Sequence, residues 1–352
     1  MKIVLIMGAF SFGGAERVMC NLANHLSENN HNVTLITLYN KEQCYPLHDN
    51  VHIVNGLNFR SKVKAISLLR KQIETLSPDV VMSFMTHINI LTIISTLFKQ
   101  IPIIISERND PRIHPSGTYL RILRKILYPF ADGVVFQTKE AQEFFSKSII
   151  SKSMIIPNPL TLDMKEKTED GKRENSIVTV GRLTRQKNQA LLIRSFKEVL
   201  KDFPNYKLRI YGEGNLREEL LILIKQLNLE GKVILMGASD NILEEIDKCK
   251  IFVLPSDSEG MPNSLMEAMA TGLPCICTDC TSGGPRYLIK DGQNGVLVPV
   301  GNQADLTKAL LDLLKDEKKR EIMGSNARGI FEKLDPHKVF SKWEGFLKNS
   351  SK

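Results

Sequence analysis

The chain predicts an α/β protein built from two doubly wound, Rossmann-like parallel sheets. Three observations carry this. Its 352 residues exceed one ordinary core and suit two domains of ~150 residues each. Short apolar, β-branched runs alternate with helical patterns along its length, an order that implies right-handed parallel crossovers. A polar stretch without hydrophobic period, residues 161–176 (TLDMKEKTEDGKRENS), divides that alternation in two.

The first domain is expected over residues 1–165, with strands at Ile3–Met7, Val33–Thr37, His52–Val54, Val80–Ser83, Ile103–Ser106, Gly133–Gln137 and Ser153–Ile156. Amphipathic helices fit Glu16–Ser27 and Lys62–Leu76. Ile88–Phe98 reads as a buried helix, because Lys99 and Pro102 keep it and the following Ile101–Ile105 short of the ~20 residues needed to cross a bilayer. Pro157-Asn158-Pro159 stops the last strand.

The second domain is expected over 176–335. Its strands fit Ile177–Val180, Lys207–Tyr211, Val233–Met236, Ile251–Leu254, Pro274–Thr278 and Gly295–Val298. Its helices fit Gln189–Lys201, Asn215–Leu227, Ile242–Cys249, Ser264–Ala270, Ala304–Lys315 and Lys318–Leu334. Open sheets of this kind bind ligands beyond the carboxyl ends of their strands.

Composition narrows the function. Hydrophobic residues make up 42% and charged residues 24%, values ordinary for a globular enzyme and unlike those of a disordered chain. The net charge is +8, and residues 1–160 hold 17 Lys+Arg against 11 Asp+Glu. That excess suits an anionic partner or serves solubility. The first apolar run, Met1–Met7, is too short for a signal peptide. The reading is a soluble or peripheral protein. Six cysteines read as small buried hydrophobes, and Cys277-x-x-Cys280 lacks the second ligand pair of a zinc site.

The sharpest motif is Glu259-Gly260-Met261-Pro262-Asn263-Ser264-Leu265-Met266-Glu267. Glu259 falls in a loop after a strand, and Glu267 about one turn inside the next helix, for which Asn263 or Ser264 would be a good cap. So placed, the two carboxylates grip separate hydroxyls of an elongated ligand rather than share a proton, and the helix N-terminus between them offers N–H groups to an anion. Leu265, Met266, Ala268 and Met269 flank Glu267, so its carboxylate is buried and needs a partner. Gly13-Gly14 opens the first helix, either as an anion-approach loop or as a tight turn. Arg182 and Lys187 follow a strand end, where they are either neutralising cations for a diphosphate or solvated surface charges.

Glu-x7-Glu preceded by Gly13-Gly14-Ala15-Glu16-Arg17, Pro157-Asn158, Gly181-Arg182-Leu183, Lys187-Asn188, Gly212-x-Gly214, and followed by Gly283-Gly284 and Asn294-Gly295, resembles the retaining glycosyltransferases of family four in this order, over nearly the whole chain. The resemblance implies the GT-B fold: two facing Rossmann-like domains, an interdomain cleft, and a C-terminal helix (336–352) packed back on the first domain. It implies that Arg182 and Lys187 bind the donor diphosphate and that Glu259 contacts the transferred sugar. It implies that Glu267 holds the ribose, with Gly13, Gly14, Gly212, Gly214, Met261, Pro262 and Asn263 lining the donor. No resident cofactor or metal is implied, since UDP-sugar is a co-substrate and the chain has no Asp-x-Asp motif.

On the acceptor side, family members place a His or polar residue where this chain has Arg108; His87 and His114 are alternatives. Thr118–Phe130 reads as a helix with Arg121, Arg124 and Lys125 on one face and Leu120, Leu123, Ile126 and Leu127 on the other. Such a face suits lipid phosphates or a membrane surface, or simply packs on the sheet. Arg60, Lys62, Lys64, Arg70 and Lys71 form a second basic run. The stretch from Ser106 to Phe130 resembles bacterial transferases that extend polyprenyl-diphosphate glycans. The resemblance therefore implies a lipid-linked saccharide acceptor, action at the cytoplasmic face of the inner membrane, and a place in O-antigen, capsule or lipopolysaccharide assembly. The alternatives are a UDP-N-acetylhexosamine 2-epimerase on a similar pair of domains and a sugar-binding protein without catalysis. No nucleic-acid module accompanies the basic runs.

Overall fold

The computed structural model describes residues 1–11, 13–57, 59, 61–162 and 173–350. Most of the stretch expected as a linker, residues 163–172, lies outside them, as does Arg60 of the second basic run. The chain forms two compact units, one of Met1–Thr161 with Pro336–Lys352, the other of Leu162–Asp335.

The first unit holds strands β1 (Lys2–Met7), β2 (Asn32–Thr37), β3 (His52–Asn55), β4 (Val80–Phe84), β5 (Ile103–Ser106), β6 (Gly133–Phe136) and β7 (Ser153–Ile155). They form one sheet in the order β3-β2-β1-β4-β5-β6-β7, and every pairing is parallel. Helices α1 (Gly14–Glu28), α2 (Lys62–Leu76), α3 (Thr86–Thr96), α4 (Thr118–Leu127), α5 (Lys139–Gln142) and α6 (Lys147–Ile150) connect them. A 3-10 turn, Tyr128–Phe130, follows α4 directly.

The second unit holds β8 (Ser176–Val180), β9 (Lys207–Tyr211), β10 (Val233–Gly237), β11 (Ile251–Leu254), β12 (Cys275–Thr278) and β13 (Val296–Val298). Their order is β10-β9-β8-β11-β12-β13, again wholly parallel. Its helices are α7 (Gln189–Asp202), α8 (Arg217–Gln226), α9 (Ile242–Asp247), α10 (Asn263–Ala270), α11 (Gly284–Leu288), α12 (Gln303–Lys315), α13 (Glu317–Ala327) and α14 (Ile330–Lys333). The single helix expected over Lys318–Leu334 is thus two. Arg328 and Gly329 separate them, and the Arg328 guanidinium donates to the Thr271 carbonyl.

The last helix, α15 (Pro336–Ser350), belongs to the first unit. Its Val339, Phe340, Trp343 and Leu347 join a core with Met19, Leu22, Leu5 and Phe84. Each such burial stabilises the unit by roughly 1.5–3 kcal/mol. Both sheets are covered by helices on each face, which is why β1, β4, β5, β11 and β12 are buried almost end to end and mainly apolar rather than alternating. No helix among the described residues is long and apolar enough to cross a membrane.

Candidate active site

In the second unit the chain order reverses between β8 and β11, which lie side by side. The crevice at such a switch point is where open α/β sheets take ligands. The loop leaving β8 runs through Arg182 to a 3-10 turn, Arg185–Lys187. Asn188 then adopts a left-handed conformation and caps α7 by accepting from Leu191 N. The loop leaving β11 contains Asp257, Ser258 and Glu259. The two loops are bonded together: Gln186 Nε2 donates to Ser258 O (2.7 Å), Asp257 N to Gln186 O (2.8 Å), and Asn188 Nδ2 to Asp257 Oδ1 (2.7 Å). Lys187 Nζ reaches Glu259 Oε1 at 2.5 Å, and both side chains are largely buried. Arg182, in the same loop as Lys187, is exposed, and its carbonyl accepts from Gln189 Nε2 at 3.0 Å.

Close backbone approaches fix these loops. Gly212 has φ of 130°, and a Cβ there would collide with the Gly181 carbonyl. A side chain on Gly214 would strike Leu183 O in the same way. The Gly212-x-Gly214 turn therefore lets the loop after β9 lie against the loop carrying Arg182, a supporting position for the residues expected to line a ligand. Gly284, at the start of α11, packs against the Gly260 carbonyl with no room for a Cβ, and the Ser282 hydroxyl donates to the Glu259 carbonyl.

Met261 and Pro262 are buried where the β11 loop enters α10. Pro262, rather than Asn263 or Ser264, holds the N-cap position, and no side chain caps the helix. Its first-turn N–H groups lack intrahelical acceptors, as in any α-helix. Glu267 sits on the second turn of α10 and is buried.

In the first unit, Gly13 is the extended N-cap of α1 and Gly14 its first residue, at the carboxyl end of β1. Arg108 lies two residues beyond β5 and is 6% exposed. Its Nη2 donates to Asn158 Oδ1, which also accepts from Gln137 Nε2 at 2.7 Å. The guanidinium carbon stands 4.6 Å from the centroid of the Phe84 ring. Nε and Nη1 are buried and have no hydrogen-bond partner. Burial holds its pKa down to about 9.

The profile for Glycosyltransferase Family 4 matches residues 12–163, and that for Glycosyl transferases group 1 matches 162–330. An N-acetylgalactosamine-N,N'-diacetylbacillosaminyl-diphospho-undecaprenol 4-alpha-N-acetylgalactosaminyltransferase of Campylobacter jejuni is 30% identical over 96% of this chain and 97% of its own. The chain is a family four glycosyltransferase. A second Campylobacter jejuni relative, an alpha-1,4-N-acetyl-D-galactosaminyltransferase whose name gives a diNAcBac-PP-undecaprenol glycan, is 29% identical over 97% of both chains. Among solved structures, Anabaena HepE in complex with UDP superposes with a TM-score of 0.84 at 16% identity, covering 99% of this chain and 100% of that one. That likeness establishes the GT-B fold. The epimerase alternative falls with the family assignment.

The first unit of this glycosyltransferase contains a buried polar set that the sequence reading left without a role. Glu107 is fully buried and accepts from Thr86 Oγ1 (2.9 and 3.1 Å) and from the Tyr128 hydroxyl. Asn89 Nδ2 donates to Tyr128 Oη at 3.0 Å and to Ser106 O at 2.9 Å. Burial raises the pKa of Glu107 against the pull of these bonds. The signal available in sequence was a polar triplet, Ser106-Glu107-Arg108, directly after the apolar run Ile103–Ile105.

Helix α4 is rotated from the expected orientation. Arg124 is buried, donating to His114 O (2.7 Å) and Pro111 O (2.8 Å). Arg121 donates to Pro115 O (2.7 Å) and Ile113 O (2.8 Å). Lys125 is exposed. Arg124 therefore does not share an outward basic face: a guanidinium has enough donors to satisfy loop carbonyls, so it can turn inward where a lysine would stay in water. Ile126, expected inside, is exposed. Of the alternative acceptor-side residues, His87 is exposed on the first turn of α3, and His114 precedes α4, 10 residues from Arg124.

Among the described residues no group of three His, Cys, Asp or Glu side chains is placed to hold a metal. Cys277 and Cys280 are free and buried, and burial pushes both thiols up, that of Cys280 to about 12. An open cavity of ≈ 560 Å³ is lined by residues such as Gly292, Asp316 and Lys319, and by none of the site residues above.

Proposed function

We propose that this glycosyltransferase moves a hexosyl or N-acetylhexosaminyl group from a UDP-sugar, with retention, onto a polyprenyl-diphosphate-linked saccharide in bacterial surface-glycan assembly. The observation that carries the reading is the Lys187–Glu259 pair at the switch point of the second sheet. A diphosphate there meets Lys187 and the exposed Arg182. Two cations stabilise the charge that develops on the leaving UDP without proton transfer. Glu259, freed in part from Lys187, accepts hydroxyl donors from the sugar, and Glu267 takes the ribose. The N-terminus of α10, which no side chain caps, offers N–H groups suited to phosphate oxygens.

Lipid linkage of the acceptor is supported by the names of the Campylobacter relatives, both of which contain undecaprenol bound through a diphosphate. Their α-linked products fit retention from an α-configured donor. In the first unit, the unpartnered donors of Arg108 suit an anionic acceptor oxygen or the hydroxyl that attacks. The working place of the enzyme is then peripheral, at the cytoplasmic face of the inner membrane.

A donor screen tests the reading. Purified protein is incubated with a panel of UDP-sugars and synthetic prenyl-diphosphate saccharides, and UDP release, product mass and anomeric configuration are measured. One UDP-sugar should give an α-linked product extended by one residue. Inversion at the anomeric carbon, or an epimerised nucleotide sugar without acceptor, would overturn it.

A further inference from the structure

Four large apolar side chains stand in solvent on α4 and the 3-10 turn that continues it. Tyr119, Ile122, Ile126 and Phe130 are between 53% and 66% exposed. On a helix Tyr119, Ile122 and Ile126 fall on one face, and the inward face is Leu120, Leu123, Arg124 and Leu127, packed on a core with Ile105 and Val134. The outward stripe is therefore surplus to the core. Lys125 flanks it. From Pro111 to Ala131 the sequence has no Asp or Glu, and Arg112, Arg121 and Lys125 are exposed while Arg124 is turned inward.

Helices α3 and α4 pack together and lead into the neighbouring parallel strands β5 and β6. Phe98, just past α3, and Phe130, just past α4, thus both lie toward the amino ends of these strands. Phe98 is 97% exposed and has φ of 66°. A bulky residue in the left-handed region is an outlier, and here the strain holds an apolar ring in water.

We propose that this face of the first unit, Tyr119, Ile122, Ile126 and Phe130 with Phe98 at its border, lies in the headgroup–acyl boundary of an anionic bilayer. Apolar side chains on one face, an aromatic ring beside them and flanking cations are what an interfacial helix needs. The absence of acids across the segment matches it to anionic lipid. The surface takes its purpose from the lipid-linked acceptor proposed above, but rests on its own observations.

The test is flotation of the purified full chain with vesicles of phosphatidylethanolamine and phosphatidylglycerol, without any acceptor. The wild type should float. Ile122→Asp/Ile126→Asp should lower the bound fraction by about tenfold, the order expected for charges placed in an interfacial face, with an unchanged melting temperature because both sites are exposed. Ile222→Asp, at an apolar residue equally exposed on α8, should float as the wild type does. Transfer to a water-soluble short-prenyl acceptor should be retained by both variants. Equal flotation of the double variant, equal loss in Ile222→Asp, or a dimer in sedimentation that only the double variant breaks would each overturn the membrane assignment. Flotation is read without turnover, so failure of the acceptor reading leaves it interpretable.

Discussion

Lys187 and Glu259 are 72 residues apart in sequence, yet Nζ lies 2.5 Å from Oε1, closing the mouth between the loops of β8 and β11. In the proposed reaction an incoming diphosphate would compete with Glu259 for that ammonium. Lys187→Ala and Glu259→Ala should each reduce kcat by about 10²–10³, the range for removing one group that stabilises charge in a transition state. Because the two act on each other, the double variant should cost far less than the product of the singles. Additive losses in steady-state UDP release would separate their roles.

Arg108 should show the opposite signs for stability and activity. Its buried Nε and Nη1 have no partners, and each buried donor left unpaired costs about 1–3 kcal/mol, so an apolar side chain of similar volume in that place is neutral or stabilising. Arg108→Met is expected to keep or raise Tm while lowering transfer to the lipid-linked acceptor by at least about tenfold, as for a lost charge-assisted bond. A fall in Tm with full activity would make the residue structural.

Arg124 should behave as a stability residue. It ties the loop before α4 to the helix through two carbonyls and faces the Phe144 and Phe145 rings at 5.0 and 5.3 Å. Arg124→Ala is expected to destabilise the first unit by about 2–3 kcal/mol, since buried acceptors lose a charged donor. Lys125→Ala, at an exposed position, should change stability by less than about 0.5 kcal/mol. Urea unfolding of the two variants makes the comparison.

Trp343 is the only tryptophan, and its ring meets, at a tilt of 39°, the ring that carries Arg108. It is fully buried, 5.5 Å from Phe84, and Phe84 supports the guanidinium on which acceptor binding is proposed to depend. Trp343→Ala should cost about 3–5 kcal/mol, and its fluorescence in the wild type should respond to a prenyl-diphosphate saccharide. An unresponsive signal with saturating acceptor would disconnect α15 from the acceptor side.

Glu344 gives the same helix a pH dependence. Burial raises its pKa, but bonds from Lys348 (2.5 Å), His31 (3.0 Å) and Asn29 (2.7 Å) outweigh this and bring it to about 2. The folded pKa lies below the ordinary ~4.3 of an unfolded Glu. Its stabilisation is therefore full above that value and is lost as pH falls toward the folded one, amounting to about 1 kcal/mol after solvent screening. Glu344→Gln should flatten the stability profile between about pH 4.5 and 2, read by thermal melts across that range.

Elements were legible where one physical signal dominates. Buried parallel strands are short β-branched runs between turn residues, so β5, β9 and β11 have the bounds read from sequence. Where a side chain can satisfy more than one environment, the reading failed. Arg124 was placed with the cations in water because periodicity registers charge, not available carbonyls. At the break at Arg328-Gly329 the Arg328 side chain reaches the Thr271 carbonyl, a contact no local pattern reveals.

By itself the sequence determined the alternation of strand and helix, the parallel sheets that follow from it, and the residues that mark the family, because these rest on local periodicity and short spacings. Only the tertiary structure decided that Lys187 meets Glu259, that Arg108 is buried with two of its own donors unmatched, and that the apolar stripe of α4 faces water. Strand order and helix rotation are set by long-range packing, and no window along the chain contains that information.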